Sequence, residues 1–225
     1  SIIPGLACLG EMPGYEQGNP HHHLDLQGHT IQAVVSVPGK EALRLAALLH
    51  DSGKPACRTV DQQGVAHFYG HAKESARLAE EALRKLRCEN ALRRQVVELV
   101  ELHDLWVPPT LPSARRWLGR LGEEGLRDLL ALERGDTLAH APHCRSPRLE
   151  RLERWEQLLE QVLQERDCIS LRELAVDGKD LLALGFSPGP ALGAALCFLL
   201  EEVVEGRLEN QRDSLLAALN EAPRV

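Results

Sequence analysis

Apolar positions recur at helical spacing along most of this chain. From Lys40 to Leu49 they run almost without a gap (Ala42-Leu43-Arg44-Leu45-Ala46-Ala47-Leu48-Leu49), which predicts a helix buried on most sides. His50 and Asp51 stand at its end, and Gly53 with Pro55 supplies the stop. A shorter helix is expected from Asp25 to about Val35. Residues 57–69 switch character. Cys57-Arg58-Thr59-Val60 and Val65-Ala66-His67-Phe68-Tyr69 flank Asp61-Gln62-Gln63-Gly64, the pattern of a small hairpin with a glycine turn. Helical spacing returns at about 72–87, with Ala76, Ala79, Leu83 and Leu86 on one face. It returns again at about 90–104, where the line Leu92, Val96, Val100 continues to His103. Pro108, Pro109 and Pro112 interrupt it. Short helices are expected at about 113–121 and 123–140, a break at 141–148, and a charged amphipathic helix at 149–166. Three or four short helices should follow in 170–225, around a Gly-Phe-Ser-Pro-Gly-Pro turn at 185–190. The pattern predicts an all-α protein: a helical bundle with a small β-hairpin insertion and a C-terminal helical extension. The expected domains are 1–146 and 147–225.

Composition sharpens this picture only in places. Aromatic residues are 4% of the chain, so leucine and alanine must supply most of a core, which suits packed helices. No apolar run is long enough for a membrane span. The six cysteines are scattered without a Cys-x-x-Cys pair, which argues for reduced thiols and a cytoplasmic setting rather than a disulfide framework. A net charge of −7 disfavours a broadly basic nucleic-acid surface, though not a local basic groove. Oligomeric state is not legible.

The chemistry concentrates at His50-Asp51-Ser52-Gly53-Lys54-Pro55. An adjacent His and Asp at the end of a buried helix can turn toward one ion, and the two oxygens of Asp51 can bridge two. A buried ionisable pair is costly without a partner or a metal. His29 inside the first helix, His71 opening the helix after the hairpin, His103 ending its apolar stripe, and Asp136 on the inward face of Leu129 and Leu132 complete an ordered set. Each alone is no more telling than a satisfied core histidine. His21, His22 and His23 offer candidate substrate contacts, with a solvated loop the favoured reading because loop histidines need no partner.

The order His29, His50-Asp51, Asp136 resembles the HD superfamily of helical metal-dependent phosphohydrolases. That resemblance implies an enzyme in which these residues bind one divalent ion, with His71 and His103 matching the positions that bind a second. The ions implied are Ni, Co, Mn, Fe or Zn, with Mg possible. It also implies that Lys54 faces substrate phosphate; Asp51, Lys54 and Arg58 are the expected catalytic residues. A narrower resemblance is to the HD and C-terminal regions of bacterial CCA-adding enzymes, the tRNA nucleotidyltransferase and poly(A) polymerase family. It rests on Asn19-Pro20-His21-His22-His23-Leu24-Asp25, the stretch Leu43 to Pro55, Arg58-Thr59-Val60-Asp61, His67-Phe68-Tyr69-Gly70-His71, Asp177-Gly178-Lys179-Asp180-Leu181, Gly185 to Pro190, and Asn210-Gln211-Arg212. The chain departs from that family in having no Gly-Ser dipeptide and no Asp-x-Asp pair, so it is expected to lack the nucleotidyl-transfer head. Two functions follow as expectations. One is hydrolysis of nucleotide or RNA-end phosphates, such as a 2′,3′-cyclic phosphate or a 2′-phosphate. The alternative is the non-catalytic tRNA-binding half of a CCA-adding nucleotidyltransferase. Arg115-Arg116-Trp117 is the best candidate RNA contact, ahead of Arg145, Arg148, Arg151 and Arg154; of these, Arg151 and Arg154 alternate with Glu150, Glu153 and Glu156, which suggests a solvated face with internal ion pairs.

Overall fold

The computed structural model describes residues 4–165 and 167–221. A short 3-10 segment, Pro4–Leu9, leads into α1 (Leu26–Ser36), α2 (Glu41–Leu49) and the single turn α3 (Lys54–Cys57). The hairpin β1 (Thr59–Val60) and β2 (Ala66–His67) follows. The chain continues through α4 (His71–Lys85), α5 (Asn90–Leu102), α6 (Leu111–Ala139), α7 (Pro142–Glu165), α8 (Gly178–Ala183), α9 (Pro190–Val204) and α10 (Arg212–Glu221). The all-helical expectation with one small hairpin is met. Among the described residues no helix is long and apolar enough to cross a membrane.

Local chemistry explains the elements around the site. Asp25 caps α1 by accepting from the Gly28 amide at 2.8 Å. The apolar run of α2 buries Leu43, Ala46, Ala47 and Leu49 completely, so His50 and Asp51 enter the interior as its continuation. The hairpin pairs Thr59 with His67 and Val60 with Ala66. Asp61 holds its turn by accepting from the amides of Gln63 and Val65, both at 2.9 Å. Gly70 takes φ 78°, a left-handed conformation that lets the chain turn from β2 straight into α4 with His71 as first helical residue.

The chain forms two compact units. The first holds residues up to 107 together with 124–154; the second holds 108–123 and 155–221. In the first, α1 packs on α2, α2 on α5, and α4 on α5, around Leu26, Leu43, Leu49, Leu83, Leu126 and Leu132. In the second, α8 and α9 pack together and Leu181, Leu199 and Leu215 are fully buried with Val203 and Leu219 beside them. The chain thus changes unit at three places, not at a single point near 146. One of them follows Gly122, where φ 69° breaks the path of α6. The expected break at 141–148 is instead the start of α7. Pro142 sits at the first helical position, where its missing N–H costs nothing, and Pro147 lies in the second turn on an exposed side, where the freed carbonyl can meet water.

Candidate metal centre

Five elements of the first unit deliver six ligand-type side chains to one place. α1 brings His29, the end of α2 brings His50 and Asp51, the start of α4 brings His71, the end of α5 brings His103, and α6 brings Asp136. Their donor atoms form two groups. In one, His29, His50, Asp51 and Asp136 converge; in the other, Asp51, His71 and His103. Asp51 belongs to both. Its Oδ2 lies 3.2 Å from Nε2 of His29 and of His50, while its Oδ1 lies 3.3 Å from His71 Nε2 and 3.9 Å from His103 Nε2. Asp136 Oδ1 closes the first group at 2.8 Å from His29 and 3.4 Å from His50.

The backbone orients these rings. Nδ1 of His50, His71 and His103 sits 2.7, 2.9 and 2.7 Å from the carbonyls of Ala47, Phe68 and Val100, and Nδ1 of His29 lies 3.3 Å from the carbonyl of Ala139. A carbonyl only accepts, so each Nδ1 carries the proton and each neutral ring turns an Nε2 lone pair inward. The result is two Nε2···Nε2 approaches with no proton to share, 3.4 Å between His50 and His29 and 3.2 Å between His71 and His103. Lone pairs and carboxylates facing one another require a positive charge between them. The protonation of these groups reflects the same crowding of donors and carboxylates. Burial opposes protonation of His50, but the Asp51 and Asp136 carboxylates overcome it and lift its pKa to about 10. Burial, with His50 and His71 facing it, depresses His103 to about 3. Burial would raise Asp51, yet His50 and Lys54 hold it well below the usual carboxylate range, and His140 does the same for Asp136. Asp51 Oδ2 also makes no directed hydrogen bond, although Lys54 Nζ is an ion-pair distance of 2.7 Å away. A site with this donor chemistry fits one or two divalent ions of imidazole-preferring kind.

The two groups open onto a cavity of about 270 Å³ lined by Asp51, Lys54, His71, His103, Asp136 and residues of the hairpin. Lys54 is buried, with Gln17 Oε1 accepting from its Nζ at 2.9 Å. Of the residues expected from sequence, only Arg58 stays away. It follows α3 where the chain turns extended, is exposed, and lies 5.9 Å from the Tyr15 ring. Residues outside the expected ligand and catalytic set line the cavity as well. His22, expected as solvated loop, is half-buried against the rings of His29 (4.8 Å) and His140 (4.6 Å), 3.4 Å from Lys54 Nζ. His140 and Arg148 line the cavity too. The Asp136-to-His140 spacing of one helical turn was a legible signal for His140. Arg115 and Arg116, the expected RNA contacts, are engaged within the second unit: Arg115 donates to Asp167 at 2.7 Å and to the Val204 carbonyl at 3.2 Å, and Arg116 pairs with Glu205.

Fold and site together define a mainly helical protein with a buried cluster of histidines and aspartates whose donor atoms could hold a metal ion. Comparison with known proteins places it further. Residues 59–219 match the family model "tRNA nucleotidyltransferase domain 2 putative", and the chain belongs to that family. It is 34% identical to the CC-adding tRNA nucleotidyltransferase of Thermus thermophilus across 94% of this chain and 48% of that protein. It is 32% identical to the A-adding tRNA nucleotidyltransferase of Deinococcus radiodurans, across 92% of this chain and 48% of that protein. A shorter stretch of 49 residues is 51% identical to the CCA-adding enzyme of Limosilactobacillus fermentum, covering 22% of this chain and 12% of that protein. The chain spans about half the length of the two long relatives.

Proposed function

We propose that this chain binds tRNA, as the half of a tRNA nucleotidyltransferase that carries no nucleotidyl-transfer chemistry. The observation that supports this is the extent of the likeness. It runs through residues of both units, and it aligns nearly all of this chain with half of proteins named for CC and A addition to tRNA. The test is titration of the full chain with a labelled tRNA transcript, with a hairpin RNA of equal length as competitor. Binding that prefers tRNA and weakens with salt is expected, since phosphate contacts release counterions. Equal binding of both RNAs, or none at low salt, would overturn the proposal.

The centre itself favours a second reading, a metal-dependent phosphohydrolase of the HD superfamily acting on nucleotide or RNA-end phosphates. The observation behind it is that Asp51 turns one oxygen to each ligand group, an arrangement a pure RNA clamp has no use for. His29, His50, Asp51 and Asp136 would hold one ion, and Asp51, His71 and His103 a second. Such ions supply Lewis acidity toward a phosphoryl oxygen and lower the pKa of water. Lys54, buried and anchored by Gln17, holds a fixed positive charge at the cavity wall, and Arg148 adds another at its edge. The four Nδ1-to-carbonyl contacts keep the imidazoles in one tautomer and orientation. Elemental analysis, with assay of 2′,3′-cyclic AMP hydrolysis in Ni, Co or Mn, tests this reading. Bound metal and turnover that vanish in Asp51→Ala are expected. Neither metal nor turnover under any ion would leave tRNA binding as the only function.

A further inference from the structure

The hairpin carries an aromatic pair that the metal chemistry does not use. Along the extended segment 67–69 side chains alternate, so Phe68 turns inward, with Lys54 Nζ 5.5 Å from its ring, while His67 and Tyr69 share the outer face. Their rings are stacked, 5.4 Å between centroids and 5° from parallel. His67 is fixed from behind by Asp61, whose Oδ2 is 2.9 Å from Nε2, and Asp61 is itself fixed by two turn amides. Tyr69 is 77% exposed, so the stack leaves much of its ring open. Both residues line the cavity that contains Asp51, Lys54 and His71.

We propose that His67 and Tyr69 form a stacking platform for the base of a nucleotide whose phosphate lies in the cavity. The proposal deepens the phosphohydrolase reading and rests on it for the phosphate position. Size points to this division. A cavity of about 270 Å³ falls just below the usual small-ligand range of roughly 300–1,000 Å³. It suits a phosphate with its sugar and leaves the base at the rim, where the open aromatic face stands. Stacking also accepts any base, because each has a π face. The platform therefore selects nucleotides over other phosphate esters without choosing a sequence. In a chain with two tyrosines, three tryptophans and three phenylalanines, an exposed pre-stacked pair at a cavity rim is not explained by core packing.

The experiment compares the full chain with Tyr69→Ala and Tyr69→Phe on 2′,3′-cyclic AMP and on a base-free ribose 2,3-cyclic phosphate. Equilibrium binding of 2′-AMP is measured in parallel, with and without Mn. Tyr69→Ala should lower the preference for the nucleotide over the base-free ester by roughly 5- to 150-fold, and weaken 2′-AMP to a similar degree, while Tyr69→Phe retains both. A loss shared equally by the two esters would overturn the platform and leave the hydrolase standing. If neither ester is hydrolysed by the unaltered chain, the hydrolase reading fails, and 2′-AMP binding decides the platform. Binding weakened in Tyr69→Ala and kept in Tyr69→Phe supports it; absent binding, or binding insensitive to Tyr69→Ala, refutes it.

Discussion

Asp51→Asn separates the two states of the centre. Asp51 and Lys54 form an almost fully buried ion pair, with side chains 2% and 7% exposed and charges 2.7 Å apart. Removing one partner of such a pair costs about 3–5 kcal/mol, because the ammonium stays buried with only the neutral groups of Gln17 and His22 near it in place of a carboxylate. At about 2–4 °C per kcal/mol for a chain of this length, the metal-free variant should unfold about 6–20 °C below the unaltered chain. Metal adds a second difference. An ion present at about 100 times its dissociation constant stabilises by about 2.7 kcal/mol, or about 5–11 °C. Asp51→Asn loses a ligand from both groups at once and should show almost none of this gain. His103→Ala weakens only one group and should keep the part contributed by the intact set His29, His50, Asp51 and Asp136. Thermal unfolding followed by circular dichroism, with EDTA or with Mn, Co, Ni or Zn, reads all of this. An Asp51→Asn protein stabilised by metal as much as the unaltered chain would refute the shared-ligand geometry.

Three further outcomes follow from the same structure. A Cβ on Gly53 would lie 2.6 Å from the Ser75 amide nitrogen and 2.8 Å from the His71 carbonyl, both backbone atoms; Gly53→Ala should cost about 1–3 kcal/mol in urea unfolding and lower metal affinity through His71. His103 is depressed to about 3, so the unfolded chain takes up a proton the folded one refuses. Metal-free stability should fall as pH drops below 6.5, by about 2 kcal/mol at about pH 5 from this residue alone. In His103→Gln the acid limb should be shallower by one proton. His50, lifted to about 10, acts with opposite sign: its contribution is complete below 6.5 and lost as pH rises toward 10. In the second unit, Arg115→Ala leaves the half-buried Asp167 carboxylate and the Val204 carbonyl without this donor, and should cost about 1–3 kcal/mol in urea unfolding.

The elements were legible wherever periodicity and local chemistry agreed. The run 42–49 could only be a buried helix, and a His-Asp pair at its end had to enter the interior. The set His29, His71, His103 and Asp136 was also legible, because each residue ends, opens or shares an apolar stripe. What stayed hidden depends on contacts distant in sequence. His22 reads as one of three loop histidines; only the tertiary fold lays it against His29 and His140. Arg58 follows the Gly-Lys-Pro turn in sequence, yet the extended residue at the end of α3 carries it to Tyr15 instead. Two prolines in 141–148 suggested a break, because a composition count does not tell a first-turn proline from an interior one.

The arginines show how far residue type alone can mislead about partners. Arg115 and Arg116 beside Trp117 looked like the better RNA contact, and Arg148 like a member of a second basic patch. The fold puts Arg148 at the cavity and engages the other two elsewhere. Arg115 and Arg116 satisfy Asp167, Glu205 and a backbone carbonyl inside the second unit, and Arg120, not either of them, lies over the Trp117 ring at 5.0 Å. Arg207 and Arg212 are paired with Glu202 and Asp180. With these four arginines held by carboxylates in a chain of net charge −7, the proposed tRNA binding should draw on backbone amides, hydroxyls and shape as well as charge. Salt dependence measures that balance directly. A shallow slope of log affinity against log salt, equivalent to few displaced counterions, is expected for this chain. A steep slope would mean that these ion pairs open to meet phosphate when tRNA binds.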